Sequence, residues 1–334
     1  VRGAVDWALT VEDRDLAAAL LRPIALQMFV RRGLGEIADW AERLLAITPP
    51  EDEESVALGL LWASLHYSMT QERERFRQLI EDCGAPDHLF ARYAYLVGVE
   101  DDDFAVLELG PLVVAEMRRR GEESYARLFE MFTAAALMTS GQFTQARAEH
   151  EALADLFRAE GPPSFLNWTL YLLGASAALQ GDQELADRYW DESTSVDVPP
   201  RTNGPNETLS ARAAFRQGRR AEAYRILGGY IDELVEVENL SGAAIVGIEF
   251  VNMMTAIDRL HDAGVILGHF DATGLLGVEG PGFKIMLTEA LDVVAADPLA
   301  MATREDAAAR SLDEREALAF MRQVLTELAA SPIA

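Results

Sequence analysis

Apolar side chains recur along the chain at the spacing of an α-helix. In residues 143–159 and again in residues 219–237 they lie three or four positions apart, which places them on one face of a helix. These positions are Phe143, Ala146, His150, Leu153 and Phe157 in the first stretch and Tyr224, Leu227, Ile231 and Leu234 in the second. No stretch alternates apolar and polar residues between Asn-Gly or Asp-Gly turns, so strands are not expected. The pattern predicts an all-α chain.

A second kind of segment is apolar on nearly every side. Four such segments occur, at 56–69, 128–138, 165–179 and 242–254. Each is shorter than the roughly 18 apolar residues that a membrane-spanning helix needs, so protein must cover it. Because these segments alternate with one-faced helices, we predict stacked helical hairpins, each made of a buried helix and an amphipathic helix.

The turn between the two kinds of helix has a repeated sequence. At four of these turns glycine is followed five positions later by alanine: Gly33 and Ala38, Gly141 and Ala146, Gly181 and Ala186, and Gly218 and Ala223. Glycine ends a helix in the left-handed conformation without steric cost, and a small alanine lets the next helix cross closely. The steps from Gly141 to Gly181 and on to Gly218 are 40 and 37 residues, in the range expected of tetratricopeptide-like or similar helical repeats.

These features predict the fold and the domain organisation. We expect a right-handed superhelix of tetratricopeptide-like helical hairpins that forms a single α-solenoid over residues 1–334, because no loop is long enough to be an interdomain linker. Residues 298–334 are predicted to be C-terminal capping helices. Ser311 and Glu314 fit a capping box that opens the last of them.

The charge of the chain excludes several kinds of partner. Acidic side chains number 55 and basic ones 29, for a net charge of −26. Nucleic-acid binding depends on lysine and arginine that neutralise phosphates, so this segment is not expected to bind it, and anionic membranes are disfavoured for the same reason. The single cysteine, Cys83, has no partner for a disulfide or a zinc knuckle. With no signal peptide or spanning segment, we predict a soluble, cytoplasmic chain.

The clusters that resemble catalytic or metal sites have simpler explanations. The acidic runs at 51–54 and 100–103 stand where helices are expected to start, and there carboxylates favour the positive end of the helix dipole. The glycine-rich run at 277–284 departs from the phosphate-loop pattern and follows no strand. The alternative of a calcium loop lacks the central glycine and spaced oxygens that it requires.

Histidines give no better case for chemistry. His261 and His269 have aspartates nearby, at Asp262 and Asp271, but no third ligand has suitable spacing. A helical enzyme would need a deep pocket that encloses them with a bound metal. We therefore predict no catalytic residue, no metal, no cofactor and no enzymatic activity.

Binding remains as the expected role. In a hairpin solenoid the first helices of successive repeats line the concave side, so polar residues within these apolar helices are candidates for contact with a ligand or a partner. They are Arg127, Glu130, Asn167, Tyr171, Arg212, Glu249 and Asn252. The alternative for each is a hydrogen bond between helices or simple hydration, and Trp62, Trp168 and Trp190 are expected in the core.

The two ends of the chain resemble a family. The residues that carry the resemblance are 1–9 (VRGAVDWAL), 16–21 (LAAALL), 31–36 (RRGLGE), 40–45 (WAERLL), 266–274 (ILGHFDATG), 287–291 (LTEAL) and 309–318 (ARSLDEREAL). They are similar to the tetratricopeptide-like region that follows the nucleotide-binding module in bacterial STAND-type ATPase regulators, including LuxR-family regulators and adenylate cyclase-ATPase regulators. The middle of the chain matches only generic repeats.

The resemblance implies a helical sensor region of a transcriptional or signalling regulator. Its partner would be a protein or a small inducer in the concave groove, and the parent protein would carry ATPase and, often, helix-turn-helix DNA-binding modules. The chain begins at Val1 and lacks a phosphate loop and a basic recognition helix, so we expect those modules outside this segment. The alternative function is a protein-protein interaction scaffold that needs no ligand.

Overall fold

Helices make up nearly all of the structure, a computed structural model that describes residues 2–30, 34–70, 72–84, 87–100, 103–199, 206–236, 242–276 and 287–331. Within these ranges there are 18 α-helices and one π-helical segment, and no strand. The prediction of an all-α fold is confirmed.

The chain divides into two compact units, and the boundary falls inside the eighth helix. Unit 1 comprises Val1–Ala136 with two short later segments, Pro199–Asn203 and Val237–Asn239, and unit 2 comprises Leu137–Val198, Gly204–Glu236 and Leu240–Ala334. A single solenoid over residues 1–334 stays a prediction.

Unit 1 is built from the first eight helices. They are α1 (Arg2–Thr10), α2 (Arg14–Val30), α3 (Leu34–Ala46), α4 (Glu53–Thr70), α5 (Arg73–Asp82), α6 (Leu89–Tyr95), α7 (Asp103–Arg119) and α8 (Glu123–Thr139), whose last three residues belong to unit 2. A π-helical turn, Leu96–Glu100, continues α6 directly. Aromatic rings pack together in the core of this unit, as at Tyr67 and Phe76, which stack with their centroids 4.8 Å apart.

Unit 2 contains the remaining helices. They are α9 (Phe143–Glu160), α10 (Pro163–Leu179), α11 (Gln183–Ser195), α12 (Asn206–Arg216), α13 (Arg220–Glu236), α14 (Gly242–Ala256), α15 (Leu260–Ala272), α16 (Thr288–Ala296), α17 (Pro298–Arg310) and α18 (Glu314–Ala330). Helices α10 and α14 bury residues on nearly every side, as their composition predicts. Helix α18 packs along α13, and Arg322 of α18 donates two hydrogen bonds to Asp232.

The glycine joints have the geometry that their sequence predicts. Gly141, Gly181 and Gly218 have φ of 83°, 81° and 79°. At each joint the residue after the glycine donates its backbone N–H to a carbonyl five positions earlier, at 2.8 to 3.0 Å, which closes the helix end. The alanines that follow, Ala146, Ala186 and Ala223, are completely buried. Gly33 lies outside the described residues.

The same joint occurs at three further places. The left-handed residue is Gly121 between α7 and α8, Glu12 between α1 and α2, and Asp258 between α14 and α15. In all three, alanine again stands five positions later and is at most 1 % exposed: Ala126, Ala17 and Ala263. Asp258 follows Gly218 by 40 residues, so it continues the period, but a search restricted to glycine does not find it.

The last helix begins with a capping box, but not the predicted one. Asp313 is the N-cap, its carboxylate accepts the backbone N–H of Glu316, and the Glu316 carboxylate accepts the N–H of Asp313. Ser311 instead ends α17 in the left-handed conformation, with φ of 52°. The prediction of Ser311 and Glu314 was therefore wrong by two residues, because two overlapping runs in the sequence match the same motif.

Helices α15 and α17 approach more closely than ordinary side chains allow. A Cβ atom at Gly264 would lie 2.8 Å from the Ala300 carbonyl oxygen, and one at Gly268 would lie 2.4 Å from the Arg304 carbonyl oxygen. Two glycines one turn apart thus let the helix backbones meet. Arg304 reinforces the contact by donating to both Asp271 carboxylate oxygens, at 2.6 and 2.8 Å.

Candidate functional site

A buried ion pair is the centre of the polar cluster in unit 2. Arg212 of α12 donates from Nε to Glu249 Oε2 of α14 at 3.0 Å, and its Nη2 donates to Oε1. The Glu249 side chain is only 4 % exposed and that of Arg212 only 17 %. Burial opposes the charge of Arg212, but the carboxylate beside it outweighs burial and raises the pKa of the guanidinium. The Arg212 guanidinium therefore keeps its charge inside the unit.

Trp190 of α11 covers this ion pair. The Arg212 guanidinium carbon lies 4.0 Å from the centroid of the indole ring, a cation–π distance. The indole N–H donates to the Tyr171 carbonyl oxygen of α10 at 3.1 Å. Gly174 makes room for the ring, because a Cβ there would lie 2.3 Å from the indole nitrogen. Three helices thus hold Trp190 in one orientation.

Asn167 joins α10 to α11 one turn before Tyr171. Its amide nitrogen donates to the Ser193 carbonyl at 3.0 Å and to Ser193 Oγ at 2.8 Å, and that hydroxyl donates to the Asn167 backbone oxygen at 3.0 Å. Asn167 is completely buried, and its Oδ1 has no hydrogen-bond partner in the described chain. The amide is therefore well placed to hold two helices in register.

A cavity of about 230 Å³ opens beside the ion pair, between α11 and α12. Its polar lining consists of Asp187, Asp191, Thr194, Arg212, Arg216 and Gln217. Arg216 donates to both oxygens of Asp187, at 2.6 and 2.7 Å, and its guanidinium lowers the pKa of that carboxyl. Because each arginine already has a carboxylate, a polar ligand here must compete with an existing ion pair or use the uncommitted Nη1 of Arg212.

The sequence pattern of this cavity could have been recognised. Asp187 and Asp191 stand four positions apart on α11, and Arg212 and Arg216 stand four positions apart on α12. Residues at this spacing share a helix face. Two acidic residues on one helix and two arginines on the next therefore predict a charged seam, which the search for polar residues in apolar helices did not find.

The predicted site residues fall into three groups. Tyr171, Arg212 and Glu249 come together around Trp190, with Asn167 on the neighbouring turn. Arg127 and Glu130 lie on the unit 1 part of α8, where Arg127 pairs with Glu123 at 2.7 Å and Glu130 accepts from Arg118 at 2.6 Å. Asn252 is half-buried, and its side chain has no hydrogen bond in the described part of the molecule. Their role in ligand or partner binding stays a prediction.

The clusters that the sequence offered for other chemistry hold the fold together where the structure describes them. Asp52 of the first acidic run caps α4 by accepting the Ser55 N–H at 3.2 Å, as predicted, and also accepts from Arg14 at 2.8 Å. His269 donates from Nδ1 to the Leu312 carbonyl at 2.9 Å. Asp262 pairs with Arg259 at 2.5 Å. Most of the second acidic run and the run at 277–284 lie outside the described residues.

Two further properties concern metals and membranes. Among the described residues, no group of three or more histidine, cysteine, aspartate or glutamate side chains is arranged to hold a metal ion. None of the helices in these ranges is both long enough and apolar enough to cross a bilayer.

Burial, with Asp82 adding to it, raises the pKa of the Cys83 thiol above its ordinary value.

Comparison with known proteins gives no family to which this geometry can be attached. No protein-family model, no curated protein and no solved structure matches the chain.

Proposed function

We propose that the chain is the sensing and protein-docking region of a cytoplasmic signalling or transcriptional regulator, with no reaction of its own. The observation that carries the proposal is the helical joint that recurs in both units, with a left-handed residue followed five positions later by a buried alanine. Four of these joints, at Gly141, Gly181, Gly218 and Asp258, follow one another at 40, 37 and 40 residues. Such repeats serve binding in solenoid proteins, and we further propose a tetratricopeptide-like superhelix.

The resemblance of the chain ends to STAND-type regulators supports the same role. In that setting the ATPase and DNA-binding modules of the parent protein would respond to what this region binds. We include in this proposal that the parent protein is a regulator of the LuxR type and that this region binds a small inducer or a protein partner.

The charged seam between α11 and α12 suggests how binding is transmitted. A ligand group that attracts Arg212 or Arg216 competes with Glu249 or Asp187, so it changes the contacts of α12 with α14 and with α11. Such a ligand shifts the regulator only by the difference between its affinities for the two packings.

A scaffold that needs no ligand is the second candidate. It is favoured by the way the predicted residues satisfy one another, since Arg212 binds Glu249, Arg127 binds Glu123, and Asn167 binds Ser193. Residues that are already paired serve the packing of helices without any partner.

Two measurements test the proposal. Small-angle X-ray scattering should give a radius of gyration well above the roughly 20 Å expected for one compact domain of this length, and a value near 20 Å would contradict the superhelix. The reading frame that encodes the chain should also encode an ATPase module and a helix-turn-helix module, and a flanking enzyme domain of another class would contradict the regulator.

Calorimetric titration separates the two candidates. Monosaccharides, nucleotides and unstructured acidic or basic peptides are titrated into the chain, and sensing through the seam requires one of them to bind with a Kd below about 100 µM. Arg216→Gln should weaken that binding, while Arg225→Gln, an exposed arginine of α13, should not. Binding by none of these probes would favour the scaffold.

A further inference from the structure

A second cavity lies in unit 1, at a place that no motif of the sequence predicts. It has a volume of about 310 Å³ and lies between α5, α6 and α7. Most of its lining is apolar, from Ile80, Ala91, Leu96 and Leu109 with the ring of Tyr95. This volume is at the lower end of the range of about 300–1,000 Å³ that small-molecule sites occupy, and apolar walls with a few polar groups are typical of such sites.

The π-helical turn forms part of the wall of this cavity. Leu96 lines the cavity and begins the turn, which inserts a wider coil directly after α6. Gly98 of this turn packs against Phe76 of α5 so closely that a Cβ would lie 2.4 Å from the ring. The turn and α5 are therefore locked together beside the cavity. Single π-turns of this kind occur frequently at functional sites.

Two unpaired charges also line the cavity. Arg92 of α6 and Glu108 of α7 are exposed, and neither side chain has an ion pair or a hydrogen bond among the described residues. Other arginines of the chain, such as Arg120 and Arg158, bind two carboxylates each. One positive and one negative group thus remain available to a ligand.

The chemistry of the lining selects the ligand. A neutral apolar molecule would cover both charges partly without replacing their water, and a simple anion or cation would satisfy one charge and be repelled by the other. A molecule with an apolar body and charges of both signs satisfies all three features. We propose that this cavity binds a zwitterionic α-amino acid with an apolar side chain, its carboxylate on Arg92 and its ammonium group on Glu108.

The inference rests on the proposed sensing role for its biological meaning, but binding itself can be measured on this chain alone. L-Phenylalanine is the probe, and its binding to the chain is measured by isothermal titration calorimetry. Three analogues each lack one feature: 3-phenylpropionate lacks the ammonium group, phenethylamine lacks the carboxylate, and L-serine lacks the apolar body. Each should bind at least tenfold more weakly than phenylalanine.

Variants assign the two charges. Arg92→Gln should weaken phenylalanine binding about tenfold but should not weaken phenethylamine binding, because phenethylamine has no carboxylate for Arg92 to bind and its ammonium group is repelled by Arg92. Glu108→Gln should weaken phenylalanine binding but not 3-phenylpropionate binding, because that analogue has no ammonium group and its carboxylate is repelled by Glu108. Arg225→Gln is the matched control and should bind phenylalanine as the parent chain does. No heat of binding up to about 10 mM phenylalanine, equal affinities for all four compounds, or binding that neither charge variant changes would overturn the inference. None of these results would bear on the proposed superhelix or on the proposed regulator role, which are tested by scattering and by the reading frame.

Discussion

The two cavities of the molecule treat charge in opposite ways. In unit 2, Arg212 is buried, faces Glu249 and is covered by Trp190. Its charge is therefore already paired within the packing of α11, α12 and α14. In unit 1, Arg92 and Glu108 line an apolar cavity and have no partner among the described residues. The difference separates charges that stabilise helices from charges that remain free for a ligand. A buried, mutually satisfied pair is evidence about the fold, whereas unpaired charges at an apolar cavity indicate binding.

Breaking the unit 2 ion pair should produce the largest effect. Glu249→Leu leaves the Arg212 guanidinium buried without a carboxylate, and such a change costs about 3–5 kcal/mol of unfolding free energy. Replacing both partners, as Arg212→Met with Glu249→Leu, should restore most of this stability, because no buried charge remains. Urea unfolding followed by circular dichroism measures both. A double variant as unstable as the single one would contradict the view that the uncompensated charge of Arg212 causes the loss of stability.

His150 tests whether unit 2 also tolerates a buried polar group without a partner. The residue is completely buried in α9, neither ring nitrogen has a hydrogen-bond partner in the described chain, and burial lowers its pKa from 6.5 to about 4. The unfolded chain takes up the proton near pH 6.5 and the folded one only near pH 4, so stability is present above pH 6.5 and lost as the pH falls toward 4. The total loss is about 3 kcal/mol.

The His150→Leu variant isolates this contribution. It should lose less stability than the parent chain when urea unfolding is compared at pH 7 and pH 4.5, because it has no imidazole to protonate. His261→Leu is a suitable control, since the His261 side chain is 70 % exposed. Identical pH dependence in the parent chain and in His150→Leu would contradict the assignment.

Gly174→Ala should have a smaller effect with a local signature. The added methyl group meets the Trp190 indole, which must shift or lose its hydrogen bond to the Tyr171 carbonyl. Overpacking of this kind costs about 1–3 kcal/mol. The expected result is a lowered Tm together with a change in tryptophan fluorescence. Gly229→Ala, where no atom lies within 4 Å of the added Cβ, should leave the fluorescence unchanged and should not lower the Tm, because alanine favours a helix interior over glycine.

Sequence alone predicted the helices well because their pattern depends on local spacing. The Gly-x4-Ala joints at Gly141, Gly181 and Gly218 were found because left-handed backbone favours glycine. The joints at Glu12 and Asp258 do not match this pattern because their left-handed residue is not glycine, whereas the joint at Gly121 matches it. Here the more informative position is the buried alanine, which all six described joints share.

The sites were harder to predict because they depend on contacts between distant residues. Arg212 and Glu249 were selected as polar residues in apolar helices, but only the structure shows that they bind each other. Arg92 and Glu108 were not selected, because each stands on an ordinary polar helix face in the sequence. Their significance comes from the cavity between α5, α6 and α7, which no local pattern encodes.

The most direct test of the contrast is the same substitution made in each cavity, Glu249→Gln in unit 2 and Glu108→Gln in unit 1, with the free energy of unfolding measured in urea. Glu249→Gln should lose at least about 2 kcal/mol, since Arg212 is left as an uncompensated buried charge. Glu108→Gln should change stability by less than about 0.5 kcal/mol, as exposed substitutions do. Equal losses in the two variants would contradict the distinction between structural and available charges.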